Sequence, residues 1–119
     1  MSDYTDKFQD LTGFVDKAAR SIMGKLDQFT FKMMVNGLKS NDYTAVKETI
    51  EQLEREKRPL SIPPLYFVSR EHPVKAVRER ATQALSVIGD GKEIEQIAEG
   101  KTTEEAVKAL IQKYGHYRA

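Results

Sequence analysis

The 119-residue chain contains no cysteine and no tryptophan, and it has only two histidines. The lack of cysteine excludes disulfides, thiol nucleophiles, cysteine-based zinc sites and iron–sulfur clusters, and it is typical of a reducing compartment. No apolar run approaches the roughly 20 residues that a membrane-spanning helix needs. The first six residues lack the charged and apolar regions of a signal peptide. We therefore expect a cytoplasmic protein with no membrane insertion.

The chain also lacks an excess of charge of either sign, since 19 basic and 18 acidic residues leave a formal charge of +1. Such a balance gives no overall field that would attract nucleic acid or an anionic membrane, so either kind of binding would need a local patch. The length is close to that of one domain. We expect a single globular domain over residues 1–119.

Apolar residues recur every three or four positions along almost the whole chain, which predicts an all-α fold. Residues 3–23 carry one apolar stripe, and they are predicted to form a long helix within an N-terminal capping segment, 1–28. Glycines and prolines divide residues 29–115 into helix pairs and leave 116–119 as a tail. The predicted pairs are 29–39 with 42–58, 62–71 with 73–88, and 92–99 with 103–115.

Capping signals support these helix boundaries. Asp42 is a candidate N-cap for the second helix of the first pair, and Pro73 is predicted to open the second helix of the next pair. Thr102 and Glu105 have the spacing of a capping box, in which each side chain bonds the backbone of the other residue. Each signal places a helix start where the apolar pattern also requires one.

The sequence pattern predicts an internal repeat of about 30 residues. The tripeptides Ala45–Lys47, Ala76–Arg78 and Ala106–Lys108 have related sequences and lie 31 and then 30 residues apart. Apolar residues recur three and six positions after the basic residue of each tripeptide. Periods of this length are typical of solenoids built from helix pairs. The recurring positions are Ile50 and Leu53, Ala81 and Ala84, and Ile111 and Tyr114.

The pattern Val77-Arg78, Ala81, Ala84-Leu85, Ile88-Gly89-Asp90 resembles the second helix of a HEAT repeat. The resemblance is to the short HEAT-like type found in phycobilisome lyases and related helical adaptors. It covers residues 73–90 well, extends weakly to 42–58 and 103–115, and does not reach the first 28 residues. It implies a short right-handed stack of about three helix pairs behind the N-terminal capping helix.

HEAT repeats commonly pair an acidic residue in the turn between their helices with a basic residue on the second helix. The resemblance implies this role for Asp42 with Lys47, and for Glu71 with Arg78. The third unit has no clear counterpart, so the sequence does not predict a regular ladder of such pairs.

Residues with catalytic or metal-binding chemistry are few. His72 and His116 belong to no metal-ligand motif, and the phosphate-loop and nucleophile-elbow motifs are absent from the chain. His72 can be an acid–base group or part of a polar turn before a helix, and the turn is the favoured interpretation. A run of glutamates that includes Glu54 is interleaved with cations, which favours a solvated helix face over a metal site. We expect no enzyme activity, no metal and no cofactor.

Basic residues of the first two pairs are predicted to come together as a surface between repeats. The alternative is that cations near helix C-termini only stabilise the helix dipole. The apolar run Leu65–Val68 favours core packing over a binding groove, although Tyr66 stays a candidate for ligand contact. The candidate partner-binding residues are Arg55, Arg58, Arg70, Lys75, Arg78, Arg80 and Tyr66.

These features favour a non-enzymatic protein–protein interaction module, or adaptor, with a preformed surface for one protein partner, which would be acidic if the basic surface binds it. The resemblance implies a phycobiliprotein or another photosynthetic assembly component as that partner. Two alternatives stay open: nucleic-acid binding by the basic surface, and a non-catalytic subunit of a bilin lyase. The apolar stripe of the N-terminal helix allows either a monomer or a homodimer formed through that helix.

Overall fold

The computed structural model of the protein describes Asp6, residues 25–40 and residues 42–114. These ranges contain helices and no strand, which confirms the all-α class for this part of the chain. Apart from Asp6, the predicted capping helix 3–23 lies outside the described residues, as does the predicted tail 116–119. Among the described helices, none is long and apolar enough to cross a membrane.

Every helix predicted within 29–115 is present. The largest difference is at the first helix, which was predicted over 29–39 and includes residues back to Lys25. The helices are α1 (Lys25–Leu38), α2 (Tyr43–Glu56), a 3₁₀ helix (Pro59–Ser61), α3 (Ile62–Glu71), α4 (Lys75–Ile88), α5 (Gly91–Ala98) and α6 (Thr103–Tyr114).

The predicted caps form. Asp42 accepts a hydrogen bond from the backbone N–H of Thr44 at 2.9 Å, which satisfies a donor that the first turn of α2 leaves unpaired. At α6, the N–H of Thr102 donates to Glu105 at 3.1 Å and the N–H of Glu105 donates to the Thr102 hydroxyl at 3.2 Å. These reciprocal bonds confirm the predicted capping box.

The start of α4 differs from the prediction. Pro73 does not open the helix, which begins two residues later at Lys75. The intervening Val74 is extended, and its N–H donates to Nδ1 of His72 at 3.0 Å. The histidine side chain therefore satisfies the N–H of the residue that caps α4.

The first two helix pairs form two layers. Helix α1 packs on α2 and α3 packs on α4, while α2 lies beside α4 and α1 lies beside α3. The third pair does not extend these layers in the same way. Helix α5 packs on α6, and α6 packs mainly on α3 and on the 3₁₀ helix rather than on α4.

Helix α3 explains this arrangement, because residues Ile62–Val68 are all buried. A helix that is apolar on all sides must be covered on all sides. Helices α1 and α4 cover two sides of α3, and α6 covers another. This confirms that the run Leu65–Val68 is core.

The repeated apolar positions are buried in all three second helices, including Val46 in α2, Val77 in α4 and Val107 in α6. Their size nevertheless differs. Helix α4 has Ala81 and Ala84 where the other two helices have larger residues, and both alanines are fully buried. Small side chains let α4 fit between α2 and α3, with which it makes its main contacts.

Candidate protein-interaction site

A groove lies between α3, α4 and the segment Gly91–Lys101, which comprises α5 and the turn after it. Its volume is about 550 Å³. A second hollow of about 310 Å³ adjoins it, because Ser69 and Thr82 line both, and extends toward Lys75 at the start of α4. We call the two hollows together the trough.

The floor of the trough is apolar. The side chains of Tyr66, Leu85, Ile94 and Ala98 line it, and each is buried in the core. Ligand sites in proteins typically combine such an apolar lining with a few placed polar groups. The polar groups here lie along the rim.

Arg70 is the best positioned of these polar groups. Its Nε donates to the hydroxyl of Tyr66 at 3.1 Å, and its guanidinium carbon lies 5.5 Å from the centroid of the Tyr66 ring. Both contacts hold the guanidinium in place. Its two Nη atoms have no hydrogen-bond or ion-pair acceptor among residues 25–40 and 42–114. Arg70 thus presents a fixed, exposed fork of donors at the trough.

Three hydroxyls accompany Arg70 along the α3 and α4 walls. Ser69 donates to the carbonyl of Tyr66 at 2.6 Å, and Ser86 donates to the carbonyl of Thr82 at 3.3 Å. The hydroxyl of Thr82 likewise donates within α4, at 3.0 Å. Because their protons are used within their own helices, the three hydroxyl oxygens have lone pairs left to accept hydrogen bonds from a bound molecule.

Sequence reasoning missed these hydroxyls. Lys75, Glu79, Thr82 and Ser86 recur at steps of four, three and four, so they form one polar stripe along α4. That stripe was the available signal, but which neighbour it faces depends on tertiary packing.

The rim of the trough has a small excess of positive charge. Its five basic residues outnumber its three acidic ones. The Lys75 ammonium lies 4.0 Å from the Glu79 carboxylate, at the limit of an ion pair. The basic residues are Arg70, Lys75, Arg78, Lys92 and Lys101, and the acidic residues are Glu79, Glu95 and Glu99.

The structure divides the predicted basic surface into two groups. Tyr66, Arg70, Lys75 and Arg78 line the trough. Arg78 also has a structural bond, since its Nη1 donates to the backbone carbonyl of His72 at 2.7 Å. The candidates that do not line the trough are Arg55, Arg58 and Arg80.

Arg80 pairs with a residue of a different helix. Its guanidinium donates two hydrogen bonds to the Glu54 carboxylate, at 2.7 and 3.0 Å, with both side chains less than a quarter exposed. These bonds hold the pKa of Glu54 below its ordinary value and raise the pKa of Arg80. The prediction that Glu54 lies on a solvated face is therefore wrong, and Arg80 ties α2 to α4.

Arg55 and Arg58 lie apart from the trough. Arg55 is exposed on α2, and Arg58 lies 3.9 Å from the carboxylate of Glu56 in an exposed pair. The pairing that the HEAT resemblance implies for Asp42 also fails to form, because Asp42 caps α2 and makes no ion pair with Lys47.

His72 is buried in the turn between α3 and α4. Its Nδ1 accepts a bond from Val74, so the neutral ring has its proton on Nε2. Burial lowers the pKa of His72, and the nearby charge of Arg78 lowers it further. This geometry supports the polar-turn interpretation over an exposed acid–base group. Over the ranges that the structure describes, no cluster of His, Asp and Glu could hold a metal ion.

The wall formed by α5 is anchored to α6. The hydroxyl of Tyr114 donates to the Glu93 carboxylate at 2.6 Å, and the Lys113 ammonium lies 4.0 Å from the same carboxylate. Burial and the bond to Glu93 raise the pKa of Tyr114, so its hydroxyl stays protonated. The anchor on α6 leaves α5 beside α3 and α4 with the trough between them.

Comparison of the chain with protein-family models, with curated proteins and with solved structures finds no match. The resemblance to HEAT-like repeats, and the partner class that it implies, therefore stay predictions from the sequence.

Proposed function

We propose that the protein is a non-enzymatic protein–protein interaction module and that the trough receives its partner. The observation that carries this proposal is Arg70, a guanidinium that Tyr66 holds in place beside an apolar floor while its Nη atoms have no acceptor in the described ranges. An oriented, unpaired donor at an apolar groove is the arrangement by which proteins fix the position of a bound group.

Two kinds of interaction at the trough contribute to partner binding, the burial of apolar surface and the pairing of charges. Burying the exposed edges of the floor favours association, and pairing a partner's charge with the rim sets its orientation. Because Arg70 is already ordered, little of its side-chain entropy is lost on binding. Arginine and tyrosine are also among the residues that contribute most to measured interfaces.

The surrounding helices form the scaffold of this surface. We propose that α1–α4 are a HEAT-like stack of two units and that α5–α6 are a modified third unit. The arrangement of α2 beside α4 and α1 beside α3 supports the first two units. A stack of this kind offers a rigid surface, which suits an adaptor. A phycobiliprotein or other photosynthetic assembly component is the partner class that we propose on the sequence resemblance alone.

Site-specific photo-crosslinking in a native lysate tests the proposed function. A benzophenone amino acid replaces Gln96, an exposed residue that lines the trough, and a matched protein has it at Lys47, an exposed position on α2. We expect one protein to be crosslinked from position 96 at both low and moderate salt, and not from position 47. Crosslinking from position 47 alone, from neither position, or only to nucleic acid that is released at moderate salt would contradict the proposal.

The proposed partner class has a separate test. The eluate of the crosslinking experiment is examined by absorbance, and the purified protein is mixed with free bilin. A coloured crosslinked partner with no spectral change on bilin addition is the expected result, since the adaptor binds the pigment protein and not the pigment. A colourless partner would remove the photosynthetic assignment and leave the interaction function in place.

A further inference from the structure

The walls of the trough specify the chemistry of what binds there. We propose that the occupant is an acidic segment of the partner in an extended conformation, with one carboxylate paired to Arg70 and backbone N–H groups donating to the hydroxyls of Ser69, Thr82 and Ser86. This inference rests on the proposed function, because it names the part of the partner that the trough receives.

Arg70 determines the charge of the occupant. A guanidinium offers parallel N–H donors whose spacing matches the two oxygens of a carboxylate. The bond from Nε to Tyr66 leaves the Nη atoms as the donors available to such a group. The positive excess along the rim of the trough attracts the same charge.

The hydroxyls determine the conformation of the occupant. Ser69 and Thr82 donate their protons to carbonyls of their own helices at 2.6 and 3.0 Å, and Ser86 makes a longer bond of the same kind at 3.3 Å. The lone pairs of all three hydroxyls therefore remain as acceptors for N–H donors of a ligand. Within a helix the backbone N–H groups are already bonded to carbonyls of the same helix, whereas an extended segment has them free.

The spacing of the hydroxyls agrees with an extended segment. Thr82 and Ser86 both line the groove and are four residues apart on α4, which corresponds to a rise of about 6 Å along a helix. Two residues of an extended chain advance by about 6.6 Å. The distance between two N–H groups on the same side of an extended segment, two residues apart, therefore matches the spacing of Thr82 and Ser86 along α4.

The first experiment uses a phage-displayed library of 12-residue peptides selected on the whole protein. An enriched peptide is synthesised with a fluorescent label, and its affinity is measured for the wild type, Arg70→Gln and Arg55→Gln. We expect the selected peptides to share an Asp or Glu. We also expect Arg70→Gln to weaken binding about tenfold or more, and Arg55→Gln less than twofold, because Arg70 lines the trough and Arg55 does not.

Two further measurements separate a direct pair from a general change in structure. A peptide with the shared acid changed to alanine should bind wild type and Arg70→Gln equally, since the acceptor for Arg70 is then absent from both complexes. Arg70→Lys keeps the charge but loses the fork, and it should bind the acidic peptide with intermediate affinity. Circular dichroism and Tm establish that each variant is folded.

The conformation is tested on the same peptide. Transferred nuclear Overhauser effects should show strong contacts between the Hα of one residue and the amide proton of the next, as in an extended chain. The double variant Thr82→Ala with Ser86→Ala should lower affinity several-fold. The double variant should fold as the wild type does, because alanine has a higher helix propensity than threonine or serine and both positions are exposed.

The inference is overturned if no peptide is enriched, if the enriched peptides lack an acidic residue or bind as helices, or if Arg70→Gln binds as well as the wild type. These outcomes differ from failure of the proposed function, which the crosslinking from position 96 decides independently. A crosslinked partner together with a helical or non-acidic peptide would keep the interaction function and reject the extended acidic segment.

Discussion

The first two helix pairs, α1–α4, and the third pair, α5–α6, repeat one apolar pattern but pack differently. In α1–α4 the second helices α2 and α4 lie side by side, and Arg80 joins them through Glu54. In the third pair the second helix, α6, packs mainly on α3, the first helix of the preceding pair. The same pattern of buried residues thus allows two different neighbours.

The difference teaches that a repeat pattern specifies which face of a helix is buried and not what covers it. The uncovered side of α3 decides the neighbour of α6, because an all-round apolar helix needs covering more than α4 does. Because α6 packs on α3, helix α5, which packs on α6, lies across the trough from α4. The candidate binding surface follows from the packing of the third helix pair, in which α6 lies on α3.

The largest expected change in the free energy of unfolding comes from a substitution in α3, the helix at the centre of the core. Leu65 is fully buried in α3, so Leu65→Ala should reduce the free energy of unfolding by about 2 to 5 kcal/mol. The matched change Ile97→Ala in α5, where the side chain is only partly buried, should reduce it by about 1 kcal/mol. Urea unfolding followed by circular dichroism measures both, and equal losses would contradict a fold centred on α3.

The next effect concerns the link between α2 and α4. A double-mutant cycle with Glu54→Gln and Arg80→Gln should give a coupling of about 1 kcal/mol, reduced from the value for a buried pair because water reaches both side chains. The exposed pair Lys75 with Glu79 should give about 0.3 kcal/mol.

The same pair predicts a dependence on acid. The pKa of Glu54 is lowered in the folded state, so its contribution to stability is present above the unfolded value of 4.5 and is lost as the pH falls through the folded pKa. Glu54→Gln should remove this part of the acid sensitivity. A coupling no larger than that of Lys75 with Glu79 would show that the pair does not join the helices.

A smaller effect on stability is expected at two residues with positive φ, one after α2 and one after α5. The C-cap of α2, Lys57, has a φ of 53°, a left-handed conformation that disfavours any residue with a Cβ, whereas the turn after α5 has Gly100 at a φ of 73°. Lys57→Gly should raise the free energy of unfolding by up to about 1 kcal/mol, and Gly100→Ala should lower it by a similar amount. Thermal unfolding of the two variants measures both signs, and a loss of stability in Lys57→Gly would contradict the assigned backbone.

The smallest expected effect is a pH dependence at the α3–α4 turn, which has a buried histidine, whereas the α5–α6 turn, residues 99–102, has none. The folded pKa of His72 is lowered from 6.5, so the unfolded state binds the proton more readily. Stability should therefore fall as the pH decreases below about 6.5. His72→Asn keeps an acceptor for the N–H of Val74 and should flatten the slope below about pH 6.5. If the dependence of stability on pH is the same in His72→Asn as in the wild type, a group other than His72 causes it.

Much of the helical framework could be predicted from the sequence, because its signals are local. The Asp42 cap and the Thr102–Glu105 box depend on residues within three positions of each other, and the buried stripes follow from helical periodicity. The packing of α6 on α3 could not be predicted. It depends on which side of α3 stays uncovered, and that is set by helices from both ends of the described chain.

The candidate site was predictable only in part for the same reason. Arg70 at the end of α3 and Arg78 in α4 were predicted to share one surface, and both line the trough. Arg80, two residues from Arg78, lies on another side of α4 and bonds to a residue 26 positions earlier in the chain. Sequence spacing shows that the side chains differ in direction, but the partner of each one depends on the tertiary fold.

Amide hydrogen exchange of the protein with and without its crosslinked partner tests the central claim, that the trough is the binding surface, most directly. We predict slower exchange in the partner-bound protein over the walls of the trough, at residues 69–70, 82–86 and 91–101, with α2 unchanged. Protection confined to α2, or no added protection along α4 and α5, would contradict the account.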